Sequence, residues 1–321
     1  MPSACSALGA GLALYLSYKI LDFIWLYARP SGLGRYLYRN GDEPAWALVT
    51  GATDGIGKAL SSELAEMGFN VVLHGRNPTK LERVRAELTA AYPARSFTTL
   101  IADAFDCCRS EGGSADLEAR LLGAVKDIHL TVLVNCAGAG PHPAFGTLES
   151  YGGGTVLDTL HLNAAFPALV SRTLVPVLLR SGGPGVIVNI ASVTDTGLPL
   201  VSFYGASKAF GHVLSMSLWR ETRLEGRDDA LEIISHRVGA TTATSYEKRP
   251  PSLFWPSAKT LARAVLARTG CGRKSVVPYW PHALQQVMLT LLPETLSDKL
   301  LIEALRERRV QQDAALSRKA A

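Results

Sequence analysis

Residues 45–57 constrain this 321-residue chain more than any other stretch: AWALVT runs directly into TGATDGIG, and that into GIGKALSSELAEMG at 55–68. A short apolar run, a turn with glycines at 51, 55 and 57, and a periodic stretch ending on glycine read as strand, turn and helix. Glycines at such a turn permit a tight bend and let the main chain approach a pyrophosphate, whose charge sits at the helix N-terminus. A lone glycine triplet carries little weight, but one that opens the first strand-helix unit carries much. Thr50, Gly51, Thr53, Asp54, Gly55, Ile56 and Gly57 are therefore expected to touch a dinucleotide.

The rest of the chain repeats the theme. NVVLHG (70–75), SFTTLIA (96–102), LTVLVN (130–135), GVIVNIA (185–191) and ALEIIS (230–235) are apolar runs of strand length. Helical stretches separate them at 78–92, 115–127, about 153–180 and about 202–223. This alternation predicts an α/β domain: a parallel, doubly wound sheet of six or seven strands with helices on both faces. After residue 240 the pattern loosens into a turn-rich stretch, an Ala/Leu helix and the proline-broken SVVPYWPHALQQVMLTLLP (275–293). That run is short for a membrane span and reads as a core or dimer helix, with contact to a membrane surface as the alternative.

Composition matters most at the N-terminus. At 47% hydrophobic and 19% charged residues the chain is globular with an apolar surplus. The surplus lies in LGAGLALYLSYKILDFIWLYA (8–28), long enough to cross a bilayer as a helix. Lys19 and Asp22 interrupt it; a central lysine costs about 2.5–3.5 kcal/mol on insertion scales, and pairing with Asp22 at i+3 would offset this. No basic region precedes the run and no small-residue cleavage site ends it, which argues against a signal peptide. A membrane span is expected, with an interfacial anchor or a soluble packing helix as alternatives. Arg29, Arg35 and Arg39 follow it, leaving the folded body in the cytosol. The net charge of +5 is dispersed, so no nucleic-acid partner is expected. Cys5, Cys107, Cys108, Cys136 and Cys271 form no CxxC and no His-Cys spacing, and read as reduced thiols with no metal site.

The second strand ends in His74-Gly75-Arg76-Asn77, where an acidic residue would accept the ribose 2′-hydroxyl of NAD. None stands there. Arg76 can instead pair with a 2′-phosphate, so NADPH/NADP+ is the expected cofactor. Further on, YGASK (204–208) places Tyr204 and Lys208 one helical turn apart on one face. Alone, that pair would be an ordinary surface contact.

In order along the chain, TGATDGIG (50–57), NCAG (135–138), Ser192 after the fifth strand and YGASK (204–208) resemble the short-chain dehydrogenase/reductase family over about residues 45–240. The apolar leader running into PSGLGRYL, and the C-terminal PSAKTLARAVLA and PYWPHALQQVMLTLLP, are similar to its membrane-associated branch of 17β-hydroxysteroid dehydrogenases and very-long-chain 3-oxoacyl-CoA reductases. The resemblance implies a Rossmann-type fold and a set of roles. Tyr204 would donate the proton to the carbonyl oxygen. Lys208 would lower the phenol pKa from its ordinary value of about 10 and hold the nicotinamide ribose. Ser192 would hydrogen-bond the carbonyl and Asn163 would tether a relay water to the lysine. Asp103 would meet the adenine, Asn135, Ala137 and Gly138 would line the cofactor, and Gly239 and Thr241 would approach the nicotinamide amide, with Thr242 or Thr244 as alternatives for the threonine. His161 reads as structural.

Three departures from the family pattern stand out. The segment between Ser192 and Tyr204 holds eleven residues, one fewer than usual. Cys136 replaces an asparagine, and Val238-Gly239 replaces Pro-Gly. The organisation implied is an anchor at 1–28, a linker at 29–44, an NADP-binding reductase domain at 45–296 whose lid begins near 240, and a charged, solvated helical tail at 297–321. The activity implied is NADPH-dependent reduction of a ketone on a hydrophobic substrate, a 3-oxoacyl-CoA to its 3-hydroxyacyl-CoA. A 17β-hydroxysteroid or secondary-metabolite ketone is the alternative within that chemistry; a catalytically silent cofactor-binding scaffold is the alternative outside it. The closing RKAA resembles a dibasic retrieval signal, which places the protein in the endoplasmic reticulum membrane with its catalytic domain facing the cytosol. A homodimer is compatible with the family.

Overall fold

The computed structural model describes residues 4–242 and 248–320. Seven strands, β1 (Ala45–Val49), β2 (Asn70–Gly75), β3 (Phe97–Ile101), β4 (His129–Asn135), β5 (Gly185–Ser192), β6 (Leu231–Val238) and β7 (Ser275–Val276), form one sheet in the order β3-β2-β1-β4-β5-β6-β7. Every neighbouring pair is parallel. Strand order reverses between β1 and β4, which opens a crevice at their carboxyl ends.

Strands buried on both faces need apolar residues at consecutive positions, and these have them. Val71 and Leu73 of β2 join a core that includes Val132 and Val134, whereas Val72 and Leu133 point to the other side. The first face is covered by α2 (Gly55–Met67) and the second by helices introduced below. Helix α3 (Pro78–Ala91) starts where the Asn77 side chain accepts from Lys80 N with proline at the first position, and α2 stops at Gly68, which has φ +116°. After the short α4 (Asp106–Arg109), helices α5 (Gly113–Val125), α6 (Gly153–Leu160), α7 (Phe166–Leu179) and α8 (Ser202–Leu224) follow. Leu117 and Leu121 of α5 and Phe166, Val170 and Leu174 of α7 fill the second face. Burying each such side chain contributes about 1.5–3 kcal/mol.

The long helix expected near 153–180 is interrupted. Residues His161–Ala165 form a π turn between α6 and α7, with Asn163 at its centre. After β6 come α9 (Ala258–Arg268), α10 (Trp280–Leu291) and α11 (Glu294–Ala320). Leu261 and Val265 of α9 complete the first core.

Helix α1 (Ala4–Ala28) carries exposed apolar residues all round, with Leu8 75% and Trp25 62% exposed. Two helical stretches among the described residues, Ser6–Ala28 and Gly153–Leu179, are long and apolar enough to cross a membrane; the second is the α6-α7 run packed in the core. The expected Lys19–Asp22 pair does not form. Asp22 pairs with Arg273, and Lys19 lies over the Tyr15 ring at 5.4 Å. The Tyr27 hydroxyl donates to Val277 O at 2.6 Å and Arg268 to Tyr27 O at 2.7 Å, so the end of α1 is fastened to the body.

Within residues 29–44, expected as a linker, the first part packs on the body through Leu33 and Tyr36, while 39–44 are exposed. Leu33 and Tyr36 are fully buried, Ser31 donates to Leu266 O at 2.7 Å, and Arg35 and Tyr36 both donate to Glu232 Oε2 at 3.0 and 2.9 Å. The alternation of apolar and polar residues there was too brief to signal this. Helix α10 buries Pro281, His282 and Ala283 and exposes Trp280, Leu284, Val287, Met288 and Leu291, so it is only half a core helix.

Candidate active site

The crevice between the ends of β1 and β4 is a cleft of about 660 Å³. Gly51 and Gly55 adopt φ +69° and +51°, a region that glycine enters without strain. Gly57 serves a different need: a Cβ there would stand 2.2 Å from Gly51 O. The turn is pinned from behind. Gly51 N donates to His74 Nδ1 at 3.4 Å, and burial pulls the His74 pKa down to about 4, so the ring is a neutral acceptor. Gly51, Thr53, Asp54, Gly55, Ile56 and Gly57 all line the cleft, at the N-terminus of α2.

At one end of the cleft stand Arg76, Asn77, Lys80 and Arg83, together with Asp103 and Phe105. The Arg76 guanidinium lies over the Phe105 ring at 5.5 Å, and Asp103 Oδ1 accepts from Phe105 N at 3.0 Å. Lys80 and Arg83 were not singled out from the sequence, although their i, i+3 spacing at the start of α3 put them on Arg76's side.

At the other end Cys136, Ala137, Gly138, Ala139, Tyr204 and Lys208 line the cleft. Lys208 is buried and donates to Ile190 O at 3.1 Å; burial lowers its pKa. Beside it the Cys136 thiol is pushed up to about 12 by burial, against the pull of Lys208, and stays protonated. Asn163 uses its whole amide: Oδ1 accepts from Ala139 N at 3.2 Å while Nδ2 donates to Ala139 O at 2.8 Å and Thr159 O at 3.1 Å. A Cβ on Gly138 would meet Asn163 Oδ1 at 2.6 Å and Lys208 Nζ at 2.7 Å, so the glycine is sandwiched between these two groups. π turns of this kind recur at functional sites because they redirect main-chain carbonyls out of the helical ladder.

Ser192 ends β5, and its oxygen accepts from Thr194 N at 3.2 Å and Thr194 Oγ1 at 3.0 Å. With its lone pairs engaged, the Ser192 hydroxyl keeps its proton to donate, as holding a carbonyl requires. Thr194 is a contributor that sequence reasoning missed. The short segment after Ser192 forms a 3-10 turn, Val193–Thr196, tied to β6 by Arg237 and Asp195.

Four expected cofactor contacts are not among the residues that line the cleft, and each has another role. Thr50 turns its hydroxyl inward to accept from Cys136 N at 2.9 Å and Ala137 N at 3.0 Å, which fastens β1 to the end of β4. Asn135 donates to Ser171 and Asn189, and Asn189 donates on to Ser215, a buried ladder joining β4, β5, α7 and α8. Gly239 packs on the His282 ring, where a Cβ would stand 2.6 Å from Nδ1. Thr241 donates to Gly239 O at 3.2 Å. Of its alternatives, Thr242 is fully buried and Thr244 lies outside the described residues. His161 opens the π turn and is half-buried.

Residues 45–248 match the family described as short chain dehydrogenase. The chain belongs to this family. Among curated relatives, it is 34% identical over 261 residues to a very-long-chain 3-oxoacyl-CoA reductase-like protein of Arabidopsis thaliana, covering 79% of each chain. It is 30% identical over 270 residues to the very-long-chain 3-oxoacyl-CoA reductase of Anas platyrhynchos, covering 83% of this chain and 82% of that one. It is 29% identical to a putative steroid dehydrogenase of Caenorhabditis elegans, covering 97% and 95%. In fold it matches a short-chain dehydrogenase from Sphingobium yanoikuyae solved with NADPH (TM-score 0.60, 23% identity, 78% and 97% covered).

Proposed function

We propose that this short-chain dehydrogenase is an NADPH-dependent reductase of 3-oxoacyl-CoA. The observation that carries the reading is the convergence of Tyr204, Lys208, Gly138 and the basic trio Arg76, Lys80 and Arg83 on one cleft beneath the glycine turn. The basic trio suits a ribose 2′-phosphate, and the N-terminus of α2 suits a pyrophosphate. A bound NADPH would supply the hydride. The chain's own residues do the rest. Ser192 donates to the substrate oxygen and orients it. Tyr204 delivers the proton as negative charge builds there, and the adjacent Lys208 cation makes the phenol a stronger acid. Desolvation strengthens that coupling, because Lys208 is buried. Asn163 holds Ala139 and keeps Gly138 against the lysine.

The acyl-CoA substrate class rests on the curated relatives named very-long-chain 3-oxoacyl-CoA reductase and on the apolar α1, which suits an enzyme of membrane-dissolved chains. Helix α1 anchors the protein to a membrane of the endoplasmic reticulum, and Arg29, Arg35 and Arg39 hold the body on the cytosolic side. A steroid ketone is the second reading, favoured by the relative named as a putative steroid dehydrogenase. The deciding experiment follows NADPH oxidation by the full-length protein with 3-oxoacyl-CoAs of graded length and with steroid ketones side by side. Turnover of the acyl-CoAs, lost in Tyr204→Phe while NADPH still binds, is the expected result; turnover of steroids alone overturns the substrate, and full activity of Tyr204→Phe overturns the mechanism.

A further inference from the structure

Helix α11 does not lie free in solvent, as its charge implies. Among its described side chains only Ser297, Leu301, Leu305, Arg308, Gln312 and Leu316 are half-buried, and the spacings of four, four, three, four and four place them on one face. Two of its three polar members reach beyond the helix; the third, Ser297, donates to Glu294 O. Gln312 Oε1 accepts from Phe145 N at 2.9 Å, and its Nε2 donates to Phe145 O at 3.0 Å, so one side chain satisfies both polar groups of a loop residue. One turn earlier the Arg308 guanidinium lies over the Trp255 ring at 3.8 Å.

Those two partners lie in segments that follow different strands. Phe145 is in the loop after β4 and Trp255 in the segment after β6, while β5, which ends at Ser192, runs between them. Helix α11 thus touches segments that follow the carboxyl ends of β4 and β6, the two neighbours of β5 in the sheet. The contact continues inward. Gly146 N donates to Leu200 O at 3.1 Å, and Leu200, at φ +64°, belongs to the segment that carries Ser192 to Tyr204. Tyr151 donates to Pro143 O at 2.8 Å, and its ring meets Phe203, the neighbour of Tyr204, edge-on at 5.0 Å.

We propose that α11 is the outer wall of the substrate site and that Gln312, by holding Phe145, is a positioning residue that sets which hydrophobic ketones the site retains. A long chain extending from a carbonyl at Ser192 runs against this wall, whereas a small ketone does not reach it. This rests on the ketone-reductase reading above. The test uses the full-length protein and the variants Gln312→Ala and Gln312→Glu, with Lys299→Ala on the exposed face of α11 as control.

Amide hydrogen exchange without substrate is read first. In Gln312→Ala, residues 141–147 and 196–203 are expected to exchange about tenfold faster, with Gln312→Glu intermediate because it keeps only the acceptor, and Lys299→Ala unchanged. Kinetics come second: KM for a long-chain 3-oxoacyl-CoA rises several-fold in Gln312→Ala while kcat/KM for a small ketone holds. Unchanged exchange in both loops overturns the contact. Faster exchange with equal losses on long and short substrates overturns the selectivity. If the wild type reduces no ketone, the reductase reading fails by itself, and exchange alone then decides whether Gln312 fastens the loop at Phe145.

Discussion

Replacing Arg237 by methionine tests what holds the short segment between Ser192 and Tyr204. Arg237 Nε and Nη2 donate to Asp195 Oδ2 and Oδ1 at 2.7 and 2.5 Å, a bidentate pair from β6 to the turn after Ser192. The Asp195 side chain is 3% exposed and that of Arg237 21%. Methionine keeps much of the apolar stem but leaves the carboxylate buried without its cation, which costs about 3–5 kcal/mol. At roughly 2–4 °C per kcal/mol for a large domain, Tm falls by about 6–20 °C. The damage is also local. Thr194, in the same turn, supplies both hydrogen bonds to Ser192, and its carbonyl stands 2.7 Å from where a Cβ of Gly205 would be, hard against α8 beside Tyr204. A displacement of about 1 Å there lowers kcat on the order of 100-fold. Thermal unfolding and NADPH-coupled turnover are measured for Arg237→Met, Asp195→Asn and the double variant. Most of the lost stability should return in the double variant, because it buries no unpaired charge. A single-variant Tm within about 2 °C of wild type, or a double variant no better than Arg237→Met, would show that the Arg237–Asp195 pair does not hold the turn.

Three further expectations follow from the cleft and the core. Gly57→Ala should abolish NADPH binding and destabilise the fold by at least about 2 kcal/mol, since its Cβ meets backbone at 2.2 Å; cofactor fluorescence and urea unfolding report both. Arg76→Asp should shift the kcat/KM preference from NADPH towards NADH by at least about tenfold, and an unchanged ratio would assign the phosphate to Lys80 and Arg83 alone. Burial also depresses the pKa of two histidines, His74 to about 4 and His236 to about 3, below the unfolded value of about 6.5. Their neutral rings contribute stability that is fully present above pH 6.5 and is lost as pH falls towards the folded values, about 2 kcal/mol each between pH 7 and pH 5. Urea unfolding at the two pH values should show the loss, and His236→Gln should remove about half of it.

Much of the site was legible because its chemistry is local. The glycines at 51, 55 and 57 answer to a turn whose geometry is set within eight residues, and helical spacing alone puts Tyr204 and Lys208 on one face of α8, where both line the cleft. Strands β1, β2, β4 and β5 were visible as apolar runs because parallel strands are buried on both faces. The π turn was not legible, since its excess residue leaves the apolar period of α6 and α7 almost intact. Thr194, Lys80 and Arg83 are ordinary polar residues until the fold sets them around Ser192 and Arg76.

The parallel α/β architecture, the glycine turn before α2 and the spacing of Tyr204 and Lys208 are legible in the chain alone, because each is written in short local patterns. The contacts that the fold adds are those of Leu33, Arg35 and Tyr36 with the body, of Asp22 with Arg273 and not Lys19, and of α11 with the loop at Phe145. These contacts join residues 167 to 251 positions apart, and no local pattern encodes which distant surface a half-polar helix or loop will meet.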